Sequence, residues 1–261
     1  MASIDLAELP AALAEHVAPQ ARLTFPHQGM TSNVAFAEHE GRVVVVKRCA
    51  SPIYLDWLRR EHVALRALAA SELPIPRLIA YAEDETGAQP VGWLLMSRLA
   101  GSPLYGAVIE ASPSRRESML RRLGELVRRL HTTSVPPKLR RGGSWLSRQI
   151  EAARTNLPWC DGTAAGLAEL ERSRPAPVTE TLIHGDLALD NVLIDERGEL
   201  SLIDWADGGS GDPRHDVALA LDMKPELELS RQALDAFFSS YGSAALDEPT
   251  RDWFVRLYDC F

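Results

Sequence analysis

The chain has 261 residues, which is enough for one large domain or two lobes, and 46% of them are hydrophobic, which supports a substantial core. The formal net charge of -8 disfavours a nucleic-acid partner, whose phosphates require a basic surface, and is compatible with a cationic substrate. Three widely spaced cysteines without a CxxC pair indicate neither a disulfide framework nor a zinc site. We find no secretion signal and no membrane-spanning run, so we expect a cytoplasmic protein without a membrane partner.

The first hundred residues predict a small β-sheet with one main helix. Residues 34–47 read as two strands joined by a turn at Glu40-Gly41. The run of four valines suits a buried strand, because β-branched side chains pack well on a pleated surface. Residues 54–70 carry leucines at helical spacing, and residues 92–99 predict a further apolar strand.

The chain after Gly101 is predominantly helical. Ser114 and Glu117 have the spacing of a capping box, which predicts the start of a long amphipathic helix. Two further helices are predicted over residues 145–172, and the tail over residues 226–261 is also mostly helical.

One short β-rich segment interrupts this helical half. The sequences VLID and LSLID lie on either side of Glu196-Arg-Gly198 and predict a hairpin. The predicted fold class is therefore α+β and bilobal. Residues 1–98 would form a β-rich lobe with one main helix, and residues 99–261 a mostly helical lobe.

The segment HGDLALDN, residues 184–191, places Asp186 and Asn191 five residues apart before the hairpin, and Asp204 is expected to end its second strand. In phosphoryl transfer the protein mainly holds the nucleotide through Mg²⁺ and orients an incoming hydroxyl. One carboxylate accepts the hydroxyl proton, while a second carboxylate and an amide oxygen supply the hard ligands that Mg²⁺ prefers. Considered alone, the segment also fits a polar turn with an Asx cap.

Two residues of the first lobe favour the phosphoryl-transfer interpretation. Lys47 ends the valine strand, and Glu61 lies on the following helix. A strand lysine paired with a helix glutamate is how kinases hold the α- and β-phosphates. Each residue alone also fits a solvated surface charge, but their order relative to residues 184–204 favours a kinase.

These motifs resemble the aminoglycoside phosphotransferase family, a branch of the protein-kinase-like fold, over nearly the whole chain. GMTSNVAF resembles the nucleotide loop, VVVVK the strand lysine and LLMSRLAG the interlobe hinge. HGDLALDN resembles the catalytic loop, and LIDWADGGSGDPRHDVA the metal-binding segment. RLYDCF resembles the acidic-aromatic C-terminus of members that act on the 3′ hydroxyl. Choline, homoserine-type and fructosamine kinases share the catalytic motif, so it is less specific for the substrate.

The resemblance implies a role for each matching residue. Asp186 would be the catalytic base, and Asn191 and Asp204 would bind Mg²⁺. The cofactors would be Mg²⁺ and ATP, with GTP as an alternative donor. Nucleotide binding would involve Thr31 at the β-phosphate, Lys47 held by Glu61, and the backbones of Ser97 and Leu99 at adenine. The remaining matches are structural: His184 and Asp216 brace the catalytic loop, His131 ends a long helix, and Asp212 either supports the loop or caps the turn before Pro213.

Aminoglycosides are polycations, so their site requires several carboxylates that accept charge-assisted hydrogen bonds from ammonium groups. Each candidate acid, taken singly, fits a solvated surface charge equally well. The chain ends directly on Phe261, which favours a structured terminus. The candidates for substrate binding are Asp161, Asp190, Glu226, Asp259 and the terminal carboxylate of Phe261.

The function expected from the resemblance is ATP-dependent O-phosphorylation of an aminoglycoside at the 3′ or 3″ hydroxyl, which confers antibiotic resistance. The alternative is a metabolic small-molecule kinase of the same fold, similar to choline, homoserine or fructosamine kinases. A pseudokinase would have lost the key residues, all of which are present, and a protein kinase would have an APE-like element, which we do not find. The antibiotic, the hydroxyl, the choice between ATP and GTP, and a monomeric or dimeric state stay open.

Overall fold

The computed structural model describes residues 4–26, 31–87, 89–158, 160, 162–222 and 226–261. They divide into two compact units, the first made of residues 1–100 with 202–207 and the second of residues 101–201 with 208–261. The division after Ala100 lies two residues beyond the expected boundary. No helix among the described residues is long and apolar enough to cross a membrane.

The first unit is built on a five-stranded antiparallel sheet with the strand order β1-β2-β3-β5-β4. The predicted turn between β2 and β3 is confirmed, since Glu40 and Gly41 have φ values of 48° and 74°. Glycine adopts this left-handed conformation without steric penalty. The strands are β1 Arg22–Thr24, β2 Asn33–His39, β3 Arg42–Cys49, β4 Leu78–Asp84 and β5 Val91–Ser97.

The two faces of this sheet carry different layers, because successive side chains of a strand point to opposite faces. Val44, Val46, Trp93 and Leu95 pack in one core cluster together with residues of the N-terminal segment. Gly92 faces the opposite side of the sheet. It lies so close to the helix over residues 52–67 that a Cβ there would collide with the side chain of Leu55. The helices of this unit are α1 Ala11–Ala14 and α2 Pro52–Ala67, with a 3₁₀ turn at Leu6–Glu8.

The second unit is mostly helical. Its helices are α3 Leu104–Glu110, α4 Pro113–Thr132, α5 Trp145–Asn156, α6 Ala164–Arg172, α7 Pro213–Ala220, α8 Arg231–Tyr241 and α9 Glu248–Tyr258. Gly124 allows α4 to approach α8 closely, since a Cβ at this position would collide with the carbonyl of Phe237. The buried core of α5, α6, α7 and α9 is centred on Trp145, Trp253 and Phe254.

The predicted capping box at the start of α4 is wrong. The helix begins at Pro113, and its N-cap is Ser112, which makes no side-chain capping hydrogen bond. Proline is well suited to the first helical position, because its fixed φ is helical and that position needs no amide donor. Ser114 therefore lies inside the first turn.

Short strands complete the second unit. They are β6 Ser102–Pro103, β7 Thr181–Ile183, β8 Val192–Ile194, β9 Leu200–Leu202 and β10 Gly209–Gly211, in sheets of order β6-β8-β9 and β10-β7. The β8–β9 hairpin is confirmed. Asp204 does not end the second strand, however, because β9 stops at Leu202.

From Leu202 to Asp207 the chain belongs to the first unit. The Leu202 amide donates to the Pro74 carbonyl at 2.9 Å. The indole of Trp205 is completely buried and donates to the Leu202 carbonyl at 3.4 Å. The contact with Pro74 attaches this segment to the first unit, although the sequence places it in the middle of the second.

Candidate active site

The first unit contains a buried ion pair between strand β3 and helix α2. The ammonium of Lys47 lies 2.8 Å from each carboxylate oxygen of Glu61 and also contacts the carboxylate of Asp204. Burial alone lowers the pKa of Lys47, but the negative charges of Asp204 and Glu61 outweigh it, so the pKa lies above its ordinary value. Lys47 is therefore a permanently charged cation with two acidic neighbours.

Asp204 occupies a strained backbone position. Its φ of 62° lies in the left-handed region, where aspartate is one of the few tolerated residues other than glycine. Glu61 receives a backbone hydrogen bond from Trp205, the next residue along the chain. The segment that carries Asp204 is thus attached directly to the Lys47–Glu61 pair.

A second ion pair joins the same helix and segment. Arg60 Nη1 lies 2.7 Å from Asp207 Oδ1, and Arg60 Nε lies 3.2 Å from Asp56. This pair has no local signature in the sequence. Its contribution is positional, because it attaches the far end of the 202–207 segment to α2.

The other residues predicted to bind the nucleotide also lie in the first unit, where their described contacts are with other protein groups. Thr31 precedes β2, and its carbonyl accepts a weak hydrogen bond from the Cys49 thiol at 3.6 Å; Gly29 of the same loop lies outside the described residues. The Ser97 amide already donates to the Arg77 carbonyl at 2.9 Å, so it is committed to the protein. The adenine contacts of the Ser97 carbonyl and of Leu99 stay predictions.

In the second unit, Asp216 at the start of α7 binds the backbone of the loop over residues 184–191. Its carboxylate accepts hydrogen bonds from the backbone amides of His184 at 2.7 Å and Gly185 at 2.9 Å. The His215 ring lies 3.0 Å from the Gly185 carbonyl. Asp212 makes the capping contact and accepts from the Arg214 amide at 3.0 Å, so it caps α7.

Asp216 is part of a buried chain of polar groups. His131 Nε2 lies 3.2 Å from Asp216 Oδ2, and His131 Nδ1 lies 2.8 Å from the Tyr241 hydroxyl. Burial alone raises the pKa of Asp216, but hydrogen bonds from His131 and His184 outweigh it, so the pKa lies below its ordinary value. Burial, with the nearby charge of Asp216, raises the pKa of Tyr241 to about 12. The carboxylate of Asp216 is therefore ionised and the phenol neutral at pH 7.

The carboxylate of Asp186 is bound on both oxygens. The Asn191 amide donates to Asp186 Oδ2 at 2.8 Å and to the Asp186 carbonyl at 2.9 Å. The Tyr258 hydroxyl, at the end of α9, donates to Asp186 Oδ1 at 2.7 Å. The Asn191 backbone amide donates to the Ala188 carbonyl at 2.9 Å, which closes the loop as a 3₁₀ turn.

Several acids lie near this loop in the second unit. Burial and the charge of Asp186 raise the pKa of Asp190. Burial, followed by a hydrogen bond and the charge of Glu226, raises the pKa of Tyr105, and Asp190 and Asp222 contribute to this shift. Tyr105 and Asp222 were not identified from the sequence, because single residues on α3 and after α7 have no distinctive pattern.

The remaining substrate candidates lie near the C-terminus or outside the described residues. Asp259 and Phe261 follow α9 and are exposed, and the Phe261 amide donates to the Tyr258 carbonyl at 3.0 Å. Asp161 lies outside the described residues. All of these substrate assignments stay predictions.

Comparison with known proteins decides the family. The sequence model of the phosphotransferase enzyme family (APH) matches residues 22–254. The chain belongs to the phosphotransferase enzyme family. It is 26% identical over 223 residues to an aminoglycoside 3′-phosphotransferase of Streptomyces fradiae, covering 79% of this chain and 77% of that protein. It is 25% identical to an aminoglycoside 3′-phosphotransferase of Escherichia coli, covering 80% of this chain and 78% of that protein.

Solved structures of aminoglycoside phosphotransferases confirm the predicted kinase-like fold. A thermostable variant of APH(4)-Ia, in ternary complex with ADP and hygromycin B, has a TM-score of 0.67 at 18% identity and covers 94% of this chain and 86% of that chain. The gentamicin complex of APH(2″)-IIa has a TM-score of 0.65 at 16% identity, with coverage of 90% and 82%. At these identities the structural likeness concerns the fold.

Phosphotransferases use divalent metal ions to hold nucleotide phosphates, and the donors of this chain fit Mg²⁺. The Asn191 nitrogen is committed to Asp186, which leaves the amide oxygen as the hard donor. Asp204 supplies carboxylate oxygens. Among the described residues no group of three His, Cys, Asp or Glu side chains could hold a metal.

Proposed function

We propose that this phosphotransferase transfers the γ-phosphoryl group of ATP to a hydroxyl of an aminoglycoside antibiotic. The observation that carries the proposal is the carboxylate of Asp186, oriented by Asn191 within HGDLALDN. Both curated relatives are aminoglycoside 3′-phosphotransferases, which favours the 3′ hydroxyl over the 3″ hydroxyl. Such an activity would inactivate the antibiotic and confer resistance.

The proposed chemistry assigns a role to each of the matching residues. Asp186 accepts the proton of the acceptor hydroxyl, while the oxygen of that hydroxyl forms a bond to the γ-phosphorus. The bond between the γ-phosphorus and the β,γ-bridging oxygen breaks, and ADP leaves. Lys47, held by Glu61, binds the nucleotide phosphates. Asn191 and Asp204 are each proposed as a Mg²⁺ ligand, and the metal would neutralise negative charge on the phosphates.

Lys47 is prepared for this role by its charge state. Its raised pKa keeps the ammonium protonated. The contact with Asp204 is one that a nucleotide-bound metal would compete for, because the same carboxylate serves as a metal ligand. We propose that Thr31 and the backbones of Ser97 and Leu99 complete the nucleotide site, as their positions next to β2 and β5 allow.

The acids of the second unit suit a polycationic aminoglycoside better than an acceptor that carries a single positive charge or none. Burial and the charges of three acids raise the pKa of the Tyr105 phenol, namely Glu226, Asp190 and Asp222. The charge of Asp186 in turn raises the pKa of Asp190. A group of carboxylates near the base suits a substrate with several ammonium groups. Asp161, Asp259 and the Phe261 carboxylate are proposed as further contacts. All three cysteines are free, which is in keeping with the reducing cytoplasm where ATP is available.

An assay of ADP release tests the function. A panel of aminoglycosides, choline, homoserine and a fructosamine is offered with ATP or GTP and Mg²⁺, and product NMR locates the phosphate. We expect turnover with ATP and at least one aminoglycoside, and phosphate on the 3′ oxygen. Turnover confined to a metabolic alcohol would contradict the proposal and support the metabolic-kinase alternative.

A further inference from the structure

The contact between Tyr258 and Asp186 joins residues 72 positions apart in the sequence. Tyr258 is the last residue of α9, and its side chain remains partly exposed, with a relative exposure of 37%. Its phenol donates a hydrogen bond to the carboxylate that we assign as the catalytic base. An acceptor hydroxyl must make the same kind of contact, because it has to donate its proton to that carboxylate.

The two oxygens of Asp186 have different partners. Oδ2 accepts from Asn191, whose amide also binds the Asp186 backbone and therefore holds the loop together. Oδ1 accepts from Tyr258 at 2.7 Å. Losing the Asn191 contact would disturb the loop itself, whereas losing the Tyr258 contact frees a carboxylate oxygen without breaking the loop. Oδ1 is therefore the oxygen that an acceptor can take over.

The position of the phenol is fixed by the packing of α9. Phe254 and Leu257, on the preceding turn, are completely buried, and the Trp253 indole donates to the Leu170 carbonyl at 2.8 Å. The Tyr258 ring centroid lies 6.3 Å from that of His215, and the His215 ring also lies 3.0 Å from the Gly185 carbonyl. The helix is thus anchored on its buried face, while its exposed face carries Tyr258 to the catalytic loop.

We propose that Tyr258 is a specificity-determining residue whose hydroxyl occupies the acceptor's place on Asp186 Oδ1. An acceptor displaces the phenol only if its own contacts compensate for the lost hydrogen bond. The proposal rests on the proposed function, since it takes Asp186 to be the base for a hydroxyl acceptor. It adds that the chain itself supplies a competitor for that base.

The same contact restricts a side reaction. Water is also a hydroxyl donor, and it can attack the γ-phosphorus when the base is accessible. In that reaction the water oxygen bonds to phosphorus, the bond to the β,γ-bridging oxygen breaks, ADP and phosphate form, and Asp186 takes the proton. A single water cannot compensate for displacing the phenol as a polycation with several ammonium contacts can. Tyr258 therefore favours transfer to a bound acceptor over hydrolysis.

The variant Tyr258→Phe removes the hydroxyl and keeps the ring. Losing a hydrogen bond to a charged group typically changes an equilibrium by about tenfold or more. A water molecule replaces part of it, so we expect the lower end or less. The acceptor KM should fall about threefold to tenfold, and the rate of ATP hydrolysis without acceptor should rise by a similar factor.

Two controls isolate the contact. Tyr54→Phe removes the hydroxyl of a tyrosine on α2 that has the same relative exposure of 37%, and it should change neither quantity. In the double variant Asp186→Asn/Tyr258→Phe the gain in hydrolysis should disappear, because it acts through Asp186. Melting temperatures confirm that all variants are folded.

The outcomes separate this proposal from the proposed function. If kcat falls in Tyr258→Phe while acceptor KM and hydrolysis are unchanged, Tyr258 only positions the base and the proposal is overturned. If no aminoglycoside is phosphorylated by the parent protein, the proposed function fails, but increased hydrolysis in the variant still supports the competition at Asp186. If hydrolysis does not increase in that case, including when both proteins are inactive, the proposal is overturned as well.

Discussion

Lys47 and Glu61 form a buried two-point contact, in which the ammonium lies 2.8 Å from each carboxylate oxygen. The pair joins Lys47, which lies within β3, to an acid from α2, and replacing either side chain alone leaves the other as a buried charge. Burial raises the pKa of Glu61 even though Lys47 opposes the shift, so its ionised form depends on its partner.

Glu61→Gln should therefore weaken ATP binding and reduce stability together. Removing one partner of a buried ion pair typically costs about 3–5 kcal/mol of unfolding free energy, and we expect the lower end because Asp204 still neutralises Lys47. Urea denaturation and the KM for ATP measure the two effects. Glu83→Gln, which breaks an ion pair with Arg59 at the surface of the same unit, is the matched control. An unchanged KM for ATP would remove the pair from nucleotide binding.

Asp186→Asn should reduce kcat about 10²–10⁴-fold, the usual contribution of a general base, and leave ATP affinity nearly unchanged. The asparagine retains the shape of the side chain, so the loop should persist. Steady-state kinetics and nucleotide titration provide the measurement. Asp235→Asn on the exposed face of α8 makes the same chemical change outside the loop and should be neutral. Full kcat in Asp186→Asn would exclude this residue as the base.

The lowered pKa of Asp216 predicts a loss of stability in acid. A carboxylate whose pKa is lower in the folded than in the unfolded state stabilises the fold above its unfolded pKa, which is about 3.9 for aspartate. This contribution is lost as the pH falls from that value through the lower folded pKa. Thermal denaturation between pH 2 and pH 7 should show a shallower acid dependence in Asp216→Asn, together with lower stability at pH 7. Parallel curves for the two proteins would contradict the assignment.

The acids of the second unit should bind the cationic acceptor. Glu226→Gln and Asp259→Asn are each expected to raise the acceptor KM a few-fold and to leave the KM for ATP unchanged. Added salt should shrink both effects, since exposed charges are screened over about 8–10 Å at physiological ionic strength. Glu171→Gln, which removes an exposed charge of α6, is the control. If the acceptor KM is unchanged in both variants, these acids are solvated surface charges that do not bind the acceptor.

Local patterns were sufficient to predict much of the fold. The turn at Glu40-Gly41 and the β8–β9 hairpin follow from turn residues between apolar strands, and both are confirmed. The start of α4 was wrong because Ser112 and Ser114 are both plausible caps, and Pro113 decides between them. The membership of residues 202–207 in the first unit could not be predicted, because it depends on a hydrogen bond to Pro74, more than 100 residues away.

In the candidate site, too, local motifs could be predicted from the sequence and long-range contacts could not. Motif spacing identified Asp186 and Asn191, which the structure brings into contact, and Lys47 and Glu61, which pair as expected. Tyr258 lies in the RLYDCF segment, but the sequence indicated roles only for its neighbours Asp259 and Phe261. Its contact with Asp186 arises from the packing of α9 and has no local signature.

The discontinuity of the first unit affects how this chain can be recombined with its relatives. A chimaera that exchanges residues 1–100 alone would set Leu202 and Asp207 of one parent against Pro74 and Arg60 of another. Crossovers that carry residues 202–207 with the N-terminal segment keep these contacts within one parent. The first unit is therefore encoded by two separate stretches of the gene. A hybrid made with a single crossover between them would combine a first unit from two different parents.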